Sequence, residues 1–210
     1  MIKDIIILGT GSNSLEILEM AQNSALSSIQ VVGFLDDGIA VGEKVHDTPV
    51  LGRLEEAGRF DGAYFVNGIG SPSNYSQRDT FIEKTQLPDD RFISIVHPSA
   101  SVSSRATLGH GVVLFQNVVV GTGAVLGNHV IALPQATISH DTRVGAHTCI
   151  ATGTVLSGGC TIGECCYMGA RSVTRDNIQI GARSLVGTGA VVVKNIKSQT
   201  VAVGNPARPL

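Results

Sequence analysis

Large aliphatic residues recur at every sixth position in the second half of the chain, from residue 102 to residue 197. Sixteen hexads follow one another without a slip, and fourteen of their first positions hold Val, Leu, Ile or Met; only Ala132 and Thr174 depart. Half of the second positions are Gly, and the fifth positions are small or β-branched. A hexapeptide period of this length predicts a parallel β-helix, in which each hexad forms a short strand and a turn. Three hexads would form one triangular coil, and stacked coils about 4.8 Å apart would enclose the aliphatic side chains in a prism.

Residues 1–96 lack these hexads and alternate between apolar runs of strand length and amphipathic segments of helical length. The alternation predicts a small parallel sheet with helices on its faces. The predicted strands are 5–8, 29–35, 63–69 and 92–96, and the predicted helices are 14–23, 54–60 and 76–86. We therefore expect an α/β domain at residues 1–96, followed by a β-helix domain at residues 97–210.

Glycines in the turn after the first predicted strand suggest a ligand site at the edge of this sheet. Gly9 and Gly11 begin a dinucleotide-binding pattern, but Ser14 replaces its third glycine. Asp36 follows the second strand, near the place where an acidic residue would bind an adenosine ribose. A partial fingerprint is a weak signal for NAD, and a tight strand-to-helix turn is the simpler explanation. Open parallel sheets nonetheless bind ligands at the carboxyl ends of their strands, where this turn lies.

Composition narrows the classes of function. The net charge is −2 and the basic residues are scattered, which argues against nucleic acid or an anionic membrane as the main partner. The apolar run at residues 5–8 is too short for a signal peptide or a membrane span, so we expect a soluble, cytoplasmic protein. The four cysteines match no paired Cys-x-x-Cys zinc pattern, and we expect neither a disulfide nor a metal. Cys160 and Cys166 fall at fifth hexad positions, where we interpret them as core residues.

Six segments spread along nearly the whole chain form a recognisable set. They are Ile7-Leu8-Gly9-Thr10-Gly11, Gly33-Phe34-Leu35-Asp36-Asp37, Pro49-Val50-Leu51-Gly52, Ile95-Val96-His97-Pro98-Ser99-Ala100, Ser139-His140-Asp141 and Val203-Gly204-Asn205-Pro206-Ala207-Arg208. In these segments the chain resembles the bacterial nucleotide-sugar acetyltransferases of the PglD/NeuD type. The resemblance implies a Rossmann-like N-terminal domain that binds the nucleotide sugar and a left-handed β-helix that binds acetyl-CoA. It also implies a homotrimer, with the coenzyme in the cleft between neighbouring prisms.

His140 is the candidate general base. It holds the third position of the hexad that begins at Ile138, on a turn, so its ring should point away from the prism. The family has its base at this position, followed by an acidic residue, here Asp141. Imidazole suits the removal of a proton from the acceptor because its pKa lies near neutrality, and the carboxylate could orient the ring and stabilise the imidazolium. The alternative is an exposed turn histidine with no catalytic role.

Residues eighteen apart should stack on successive coils, which places Gly158 directly above His140 and Asp176 one coil further. A missing side chain beside the base would leave room for a thioester and expose a backbone N–H to the developing oxyanion. The resemblance implies further coenzyme contacts at Cys149, Ala170 and Thr188. The family commonly has His at the first of these positions and Gly at the last.

The resemblance also implies a nucleotide-sugar site in the N-terminal domain. Its residues would be Gly11, Ser12, Asn13, Asp36, Asp37 and Gly70. The loop reads Gly-Ser-Asn where the family has Ser-Gly-His, so the nucleotide and the sugar stay open.

A second column of stacked residues, His129, His147 and Cys165, has the composition of a zinc site. Metal-containing β-helix proteins that resemble γ-class carbonic anhydrases carry a pair of histidines five residues apart, and this chain lacks that pair. We therefore expect no metal.

Three functions remain open at this point. The leading hypothesis is an acetyltransferase that moves acetyl from acetyl-CoA to the amino group of a UDP-, GDP- or dTDP-linked 4-amino-4,6-dideoxy sugar, by direct transfer in a ternary complex. The second is an O-acetyltransferase acting on a sugar or sialic acid hydroxyl. Serine is disfavoured as the acceptor because serine acetyltransferases carry a helical extra domain. The third is a β-helix scaffold or NAD-sensing module without catalysis.

Overall fold

The computed structural model describes residues 2–22 and 26–210. The chain divides into two compact units, Met1–Gly70 with Asp79–Ser94 and Ser71–Arg78 with Ile95–Leu210. The short segment Ser71–Arg78 thus belongs with the hexapeptide repeats, although it precedes them in the sequence. The domain boundary that we expect between residues 96 and 97 stays a prediction.

The first unit contains a five-stranded sheet in which every neighbouring pair is parallel except the edge hairpin. Its strands are β1 (Lys3–Leu8), β2 (Ile29–Leu35), β3 (Lys44–Val45), β4 (Thr48–Gly52) and β5 (Tyr64–Asn67), in the order β3-β4-β2-β1-β5. Strands β3 and β4 pair antiparallel. The α-helices are α1 (Ser12–Ala21) and α2 (Arg78–Thr85), and 3-10 helices cover Leu54–Arg59 and Asp89–Arg91. A further 3-10 helix, Tyr75–Gln77, lies in the short segment that belongs to the second unit. The prediction of a parallel sheet with intervening helices is confirmed.

The core of this unit forms where apolar side chains of the sheet meet the segments that cover it. Ile6, Leu8, Leu35, Phe65 and Phe92 all belong to one buried cluster. Burying side chains of this size contributes about 1.5–3 kcal/mol each to folding.

Some predicted element bounds differ from the structure. The segment 54–60 is a 3-10 helix, and the segment 76–86 begins as a 3-10 turn before α2. The predicted strand 92–96 shortens to β6 (Ile95–Val96), which pairs within the repeats. Residue 23, the predicted end of the first helix, lies outside the described residues.

The second unit is a prism of three sheets, made mostly of two-residue parallel strands that recur every six residues; only the terminal pair β23–β24 is antiparallel among the described strands of this unit. One sheet has six strands: β7 (Ser101–Val102), β10 (Val119–Val120), β13 (Thr137–Ile138), β16 (Val155–Leu156), β19 (Val173–Thr174) and β22 (Val191–Val192). A second has five strands: β8 (Thr107–Leu108), β11 (Val125–Leu126), β14 (Arg143–Val144), β17 (Thr161–Ile162) and β20 (Gln179–Ile180). The third has eight strands: β6, β9 (Val113–Leu114), β12 (Ile131–Ala132), β15 (Cys149–Ile150), β18 (Tyr167–Met168), β21 (Leu185–Val186), β23 (Val201–Val203) and β24 (Arg208–Pro209).

Strand pairing follows the predicted register, because residues eighteen apart lie side by side on successive coils. Val120, for example, pairs with Ile138, and Ile138 pairs with Leu156. The aliphatic first positions are buried from Leu114 to Val192. The hexapeptide prediction of a parallel β-helix is thereby confirmed at the level of repeated parallel strands.

Three edges separate the sheets of the prism, and each edge is a column of turns. We name them by one residue each: the His140 edge follows the six-stranded sheet, the His129 edge follows the five-stranded sheet, and the Thr188 edge follows the eight-stranded sheet. The turns pass through left-handed backbone, as at Asp141 (φ 57°) and His129 (φ 58°). Exposed polar side chains such as His140 and Asp141 lie on these edges, whereas the residues that follow the left-handed positions, such as Val130 and Thr142, are buried.

Candidate active site

His140 lies in the turn between β13 and β14, and these two strands fix its backbone on either side. The buried side chains of Ile138 and Val144 anchor the turn in the prism. The left-handed conformation of Asp141 turns the chain from the six-stranded sheet into the five-stranded sheet, and the imidazole lies on the outside of this turn. The His140 side chain is 64% exposed, so the ring is open to a molecule approaching this edge.

The Asp141 carboxylate holds one nitrogen of the His140 ring. The distance from His140 Nδ1 to Asp141 Oδ2 is 3.0 Å. A carboxylate accepts a hydrogen bond here, which favours the tautomer that carries the proton on Nδ1. Nε2 then carries the lone pair that a general base requires.

Gly158 lies directly against the free nitrogen of His140. A Cβ placed on Gly158 would come within 2.4 Å of His140 Nε2, closer than side chains approach one another. Glycine is therefore required for the ring to keep this position. The stacking of Gly158 on His140 follows the register that the sequence predicts.

The backbone amide of Gly158 has a hydrogen-bond partner that we did not expect. We predicted that this N–H would face a developing oxyanion, but it donates a hydrogen bond of 3.0 Å to Asp176 Oδ1 on the next coil. The exposed Asp176 side chain reaches back along the edge to make this contact. The register placed Asp176 two coils above His140, but it gave no indication of this hydrogen bond.

Ala170 and Thr188, two of the expected coenzyme contacts, lie on the Thr188 edge. They are neighbours on successive coils, and the Gly189 amide donates to the Ala170 carbonyl at 2.8 Å. Thr188 is exposed and Ala170 is half-buried. Within one chain these residues line a different edge from His140 and Gly158, so one prism does not bring the four together.

Cys149 is less accessible than a coenzyme contact requires. The residue is only 2% exposed, in strand β15 of the eight-stranded sheet. Burial raises the pKa of its thiol, against a smaller opposing effect of the nearby Arg78 guanidinium. Arg78 itself is buried and donates to the carbonyls of His129 and His147. The predicted contact between Cys149 and the coenzyme therefore lacks support in the geometry of the single chain.

The column of His129, His147 and Cys165 is packed rather than open. The two imidazole rings stack with centroids 5.0 Å apart and planes inclined by 16°. Burial, together with His147 and Arg78, lowers the pKa of His129 to about 3, so this ring is neutral at physiological pH. Over residues 2–22 and 26–210, no group of three or more His, Cys, Asp or Glu side chains is arranged to hold a metal ion.

The first unit has its own candidate site at the carboxyl edge of the sheet. Gly11 is the N-cap of α1, and the Asn13 side chain donates to the Gly70 carbonyl at 2.8 Å. Thr10 donates to Asp36 Oδ2 at 2.8 Å. The predicted residues Gly11, Ser12, Asn13, Asp36 and Gly70 are thus linked through the turns that follow β1, β2 and β5. Backbone amides at a helix N-terminus favour a phosphate, which suits a nucleotide diphosphate.

Asp37 is held by partners that the sequence did not suggest. Its carboxylate accepts hydrogen bonds from Lys84 Nζ at 2.9 Å and from the Leu54 amide at 3.1 Å. Partial burial alone would raise the pKa of Asp37, but these hydrogen bonds and the Lys84 charge lower it below its ordinary value. A cavity of about 320 Å³ lies here, lined by Asp37, Arg53, Glu55, Lys84 and Gln86. Lys84 lies 47 residues away in the sequence, so no local pattern could have identified it.

Comparison with known proteins identifies relatives for both parts of the chain. No protein-family model matches. The acetyltransferase domain of PglB from Neisseria gonorrhoeae, in complex with acetyl coenzyme A, has a TM-score of 0.87 and 29% identity, with 100% of both chains covered. PerB from Caulobacter crescentus, in complex with CoA and GDP-perosamine, has a TM-score of 0.86 and 25% identity, covering 100% of this chain and 98% of PerB.

Curated relatives match about half of the chain. Serine acetyltransferase 2 of Arabidopsis thaliana is 35% identical over 113 residues, which are 54% of this chain and 31% of the relative. UDP-N-acetylbacillosamine N-acetyltransferase of Bacillus subtilis (strain 168) is 30% identical over 115 residues, which are 53% of this chain and 51% of the relative. The chain thus spans between about a third and a half of the length of these two relatives. The resemblance to nucleotide-sugar acetyltransferases with hexapeptide repeats is confirmed by its structural neighbours.

Proposed function

We propose that this chain, whose structural neighbours are nucleotide-sugar N-acetyltransferases of the hexapeptide-repeat family, acetylates the amino group of a nucleotide-linked amino-deoxy sugar. Acetyl-CoA would be the donor. The observation that carries the proposal is the exposed His140 ring, held through Nδ1 by Asp141 and packed through Nε2 against a residue without a side chain. A scaffold without catalysis has no need of this arrangement.

The proposed reaction is a direct transfer with His140 as general base. The amine nitrogen of the acceptor attacks the thioester carbonyl carbon, and His140 Nε2 takes a proton from that nitrogen. Asp141 stabilises the imidazolium that forms. The C–S bond then breaks as the tetrahedral intermediate collapses, and the imidazolium returns the proton to the coenzyme thiolate. The products are an N-acetyl sugar nucleotide and CoA.

We assign the two domains separate tasks. Residues 1–96 would form a Rossmann-like domain that binds the nucleotide through Gly11, Ser12, Asn13, Asp36, Asp37 and Gly70. Residues 97–210 would form a left-handed β-helix that binds the coenzyme. The helix N-terminus at Gly11 supports the first assignment, because it offers backbone amides to a diphosphate.

The proposed enzyme is a homotrimer with its coenzyme between protomers. Support comes from the separation of His140 and Gly158 from Ala170 and Thr188 on two edges of one prism. A cleft between two prisms would unite the His140 edge of one protomer with the Thr188 edge of its partner. Cys149 would lie behind this cleft rather than in contact with the coenzyme.

The proposed setting is the cytoplasm, where thiols stay reduced. The four cysteines are free and buried, as suits a reducing compartment. None of the helices in the described part of the chain is long and apolar enough to cross a membrane.

A donor and acceptor panel tests the proposal. Purified protein is incubated with acetyl-CoA and UDP-, GDP- or dTDP-linked 4-amino-4,6-dideoxy sugars, and thiol release and product mass are measured. We expect N-acetylation of one sugar nucleotide. Acetylation of a hydroxyl on the same panel would support the O-acetyltransferase alternative, and failure to bind acetyl-CoA would refute the proposal.

A further inference from the structure

The hydrogen bond between Gly158 and Asp176 lies where an acyl-transfer site needs a free donor. A thioester carbonyl oxygen gains negative charge as the acceptor attacks, and a backbone N–H about 3 Å away stabilises that charge. Gly158, the residue that carries this N–H, lies against the base: a Cβ built on it would come within 2.4 Å of His140 Nε2. In this structure the same N–H donates to Asp176 Oδ1 at 3.0 Å.

Asp176 is able to leave this amide. The residue is exposed at the His140 edge, so water can solvate the carboxylate once the bond breaks. A carboxylate is a stronger hydrogen-bond acceptor than a neutral thioester carbonyl. Displacing Asp176 from the amide therefore lowers the net binding energy of acetyl-CoA. Asp176 and the acetyl oxygen therefore compete for one N–H.

We propose that Asp176 is an internal occupant of the oxyanion position, which the thioester carbonyl of the acetyl donor must displace from the Gly158 amide. The proposal rests on the proposed function, because it takes acetyl-CoA as the donor. Asp176 acts through Gly158 and is a positioning residue rather than a catalytic one. Its effect should appear with ligands that bring a carbonyl to the His140 edge and be absent with ligands that lack it.

The competing explanation is a structural staple between coils, and the chain contains one for comparison. On the His129 edge, the His110 amide donates to Asn128 Oδ1 at 2.9 Å across the same eighteen-residue step. Asn128→Ala removes an inter-coil bond of the same kind away from His140. It serves as the matched control for Asp176→Ala.

Calorimetric titration of the full chain with acetyl-CoA and with free CoA separates the two explanations. We expect Asp176→Ala to tighten acetyl-CoA binding by about fivefold, since an exposed charge-assisted hydrogen bond of modest strength no longer competes. Binding of free CoA should stay unchanged, because CoA has no acetyl carbonyl. Asp176→Asn, which keeps an acceptor oxygen, should give a smaller change, and Asn128→Ala should lower the melting temperature without changing either Kd.

Each other outcome has a distinct meaning. Equal tightening of acetyl-CoA and CoA would indicate relief of charge repulsion and would overturn the inference. An unchanged Kd with a lowered melting temperature would show that Asp176 is only a staple. If the wild-type chain binds acetyl-CoA and Asp176→Ala binds it no better, the inference alone is wrong; if the wild type binds no acetyl-CoA, the proposed function is wrong as well.

Discussion

At the scale of single residues, the contact between Ser14 and Gly68 explains how the first unit tolerates an incomplete glycine pattern. The third glycine of a dinucleotide fingerprint allows a helix to approach a strand, and this chain has Ser14 there. Ser14 is buried, and a Cβ on Gly68 would come within 2.2 Å of Ser14 Oγ. In the usual fingerprint a glycine on the helix makes room for this close packing. Here the glycine is Gly68, the residue that faces Ser14 of the helix. The sequence alone shows the substitution at residue 14 but gives no sign of the compensating glycine.

We expect Gly68→Ala to lower the free energy of unfolding by about 1–3 kcal/mol, because the added methyl overpacks this contact. Ser14→Gly in the same chain should restore part of the loss, since it removes the clashing Oγ. Denaturant unfolding of both single variants and the double variant measures the coupling. Strictly additive losses would contradict the proposed contact.

His140 carries the strongest prediction about activity. We expect His140→Ala to reduce turnover at least ~100-fold, because the acceptor would lose its general base. The exposed ring contributes little packing, so the melting temperature should stay near that of the wild type. His110→Ala, which removes an exposed turn histidine from another edge, is the matched control. A near-normal rate in His140→Ala would refute the assignment of the base.

The positions of site residues could be predicted from the sequence only where the hexapeptide repeat determines whether a side chain points into or out of the prism. The hexad register places His140 outside the prism and Gly158 above it, and both positions are as expected. The bonds from Thr10 to Asp36 and from Lys84 to Asp37 join residues 26 and 47 apart, with no repeat to relate them. They depend on how the loops of the sheet close, which the hydrophobic pattern does not specify.

At the scale of elements, buried hydroxyl and thiol groups at the fifth hexad positions connect successive coils. Thr142, Thr148 and Thr154 donate to carbonyls fifteen residues further along the chain, at 2.8 Å, 2.8 Å and 2.9 Å. Cys160 and Cys166 donate their thiols in the same way, each at 3.2 Å. We interpreted these cysteines only as core residues, but their thiols also form hydrogen bonds between coils. Burial raises the pKa of Cys166 to about 11, so its thiol stays protonated and unreactive.

Thr148→Val should lower the free energy of unfolding by about 1–3 kcal/mol, because it leaves buried polar groups without their partner. The lost contacts are the bond to the Gly163 carbonyl and the bond from the Cys166 amide. Cys166→Thr is the matched comparison, since a hydroxyl can replace the thiol as donor, and we expect it to keep or raise the melting temperature. Equal melting temperatures for Thr148→Val and the wild type would show that the hydroxyl is dispensable.

Element prediction succeeded for the repeats and was weaker in the first unit. The β3–β4 hairpin was not predicted from the sequence. Its turn residues, His46 and Asp47, adopt left-handed backbone, but they lack the Asn-Gly or Asp-Gly pair that is typical of such turns. The predicted strand 92–96 divides instead: Phe92 bridges to Phe65, whereas Ile95 pairs with Val113 of the repeats. The apolar pattern of this segment correctly predicts that Phe92 and Ile95 are buried, but it does not show which strands they pair with.

At the scale of the whole molecule, the proposed coenzyme site would require two protomers. His140 and Gly158 lie on one edge of the prism, and Ala170 and Thr188 lie on another. A closed trimer with heterologous interfaces would pair these edges three times. Each site would then depend on one edge from each of two chains.

Mixing inactive variants tests this arrangement. His140→Ala removes the base from one edge, and Thr188→Trp fills the cleft from the other, so each variant alone should be inactive. Mixed trimers of the two should regain up to about a quarter of wild-type activity, because some interfaces combine two intact edges. A mixture of His140→Ala with His140→Asn is the control and should stay inactive. No recovery in the first mixture, with exchange of subunits verified by mass, would contradict a shared site.

The eighteen-residue pairing also limits how such a protein can lengthen during evolution. Inserting or deleting one residue inside a strand would shift every later residue by one hexad position, so that outward side chains would turn inward and polar groups would be buried. Duplicating a complete coil would leave every column aligned and only extend the prism. Insertion of an unrelated coil is compatible with the register except where it would separate stacked residues of the proposed site, such as His140 from Gly158, Gly158 from Asp176 or Ala170 from Thr188.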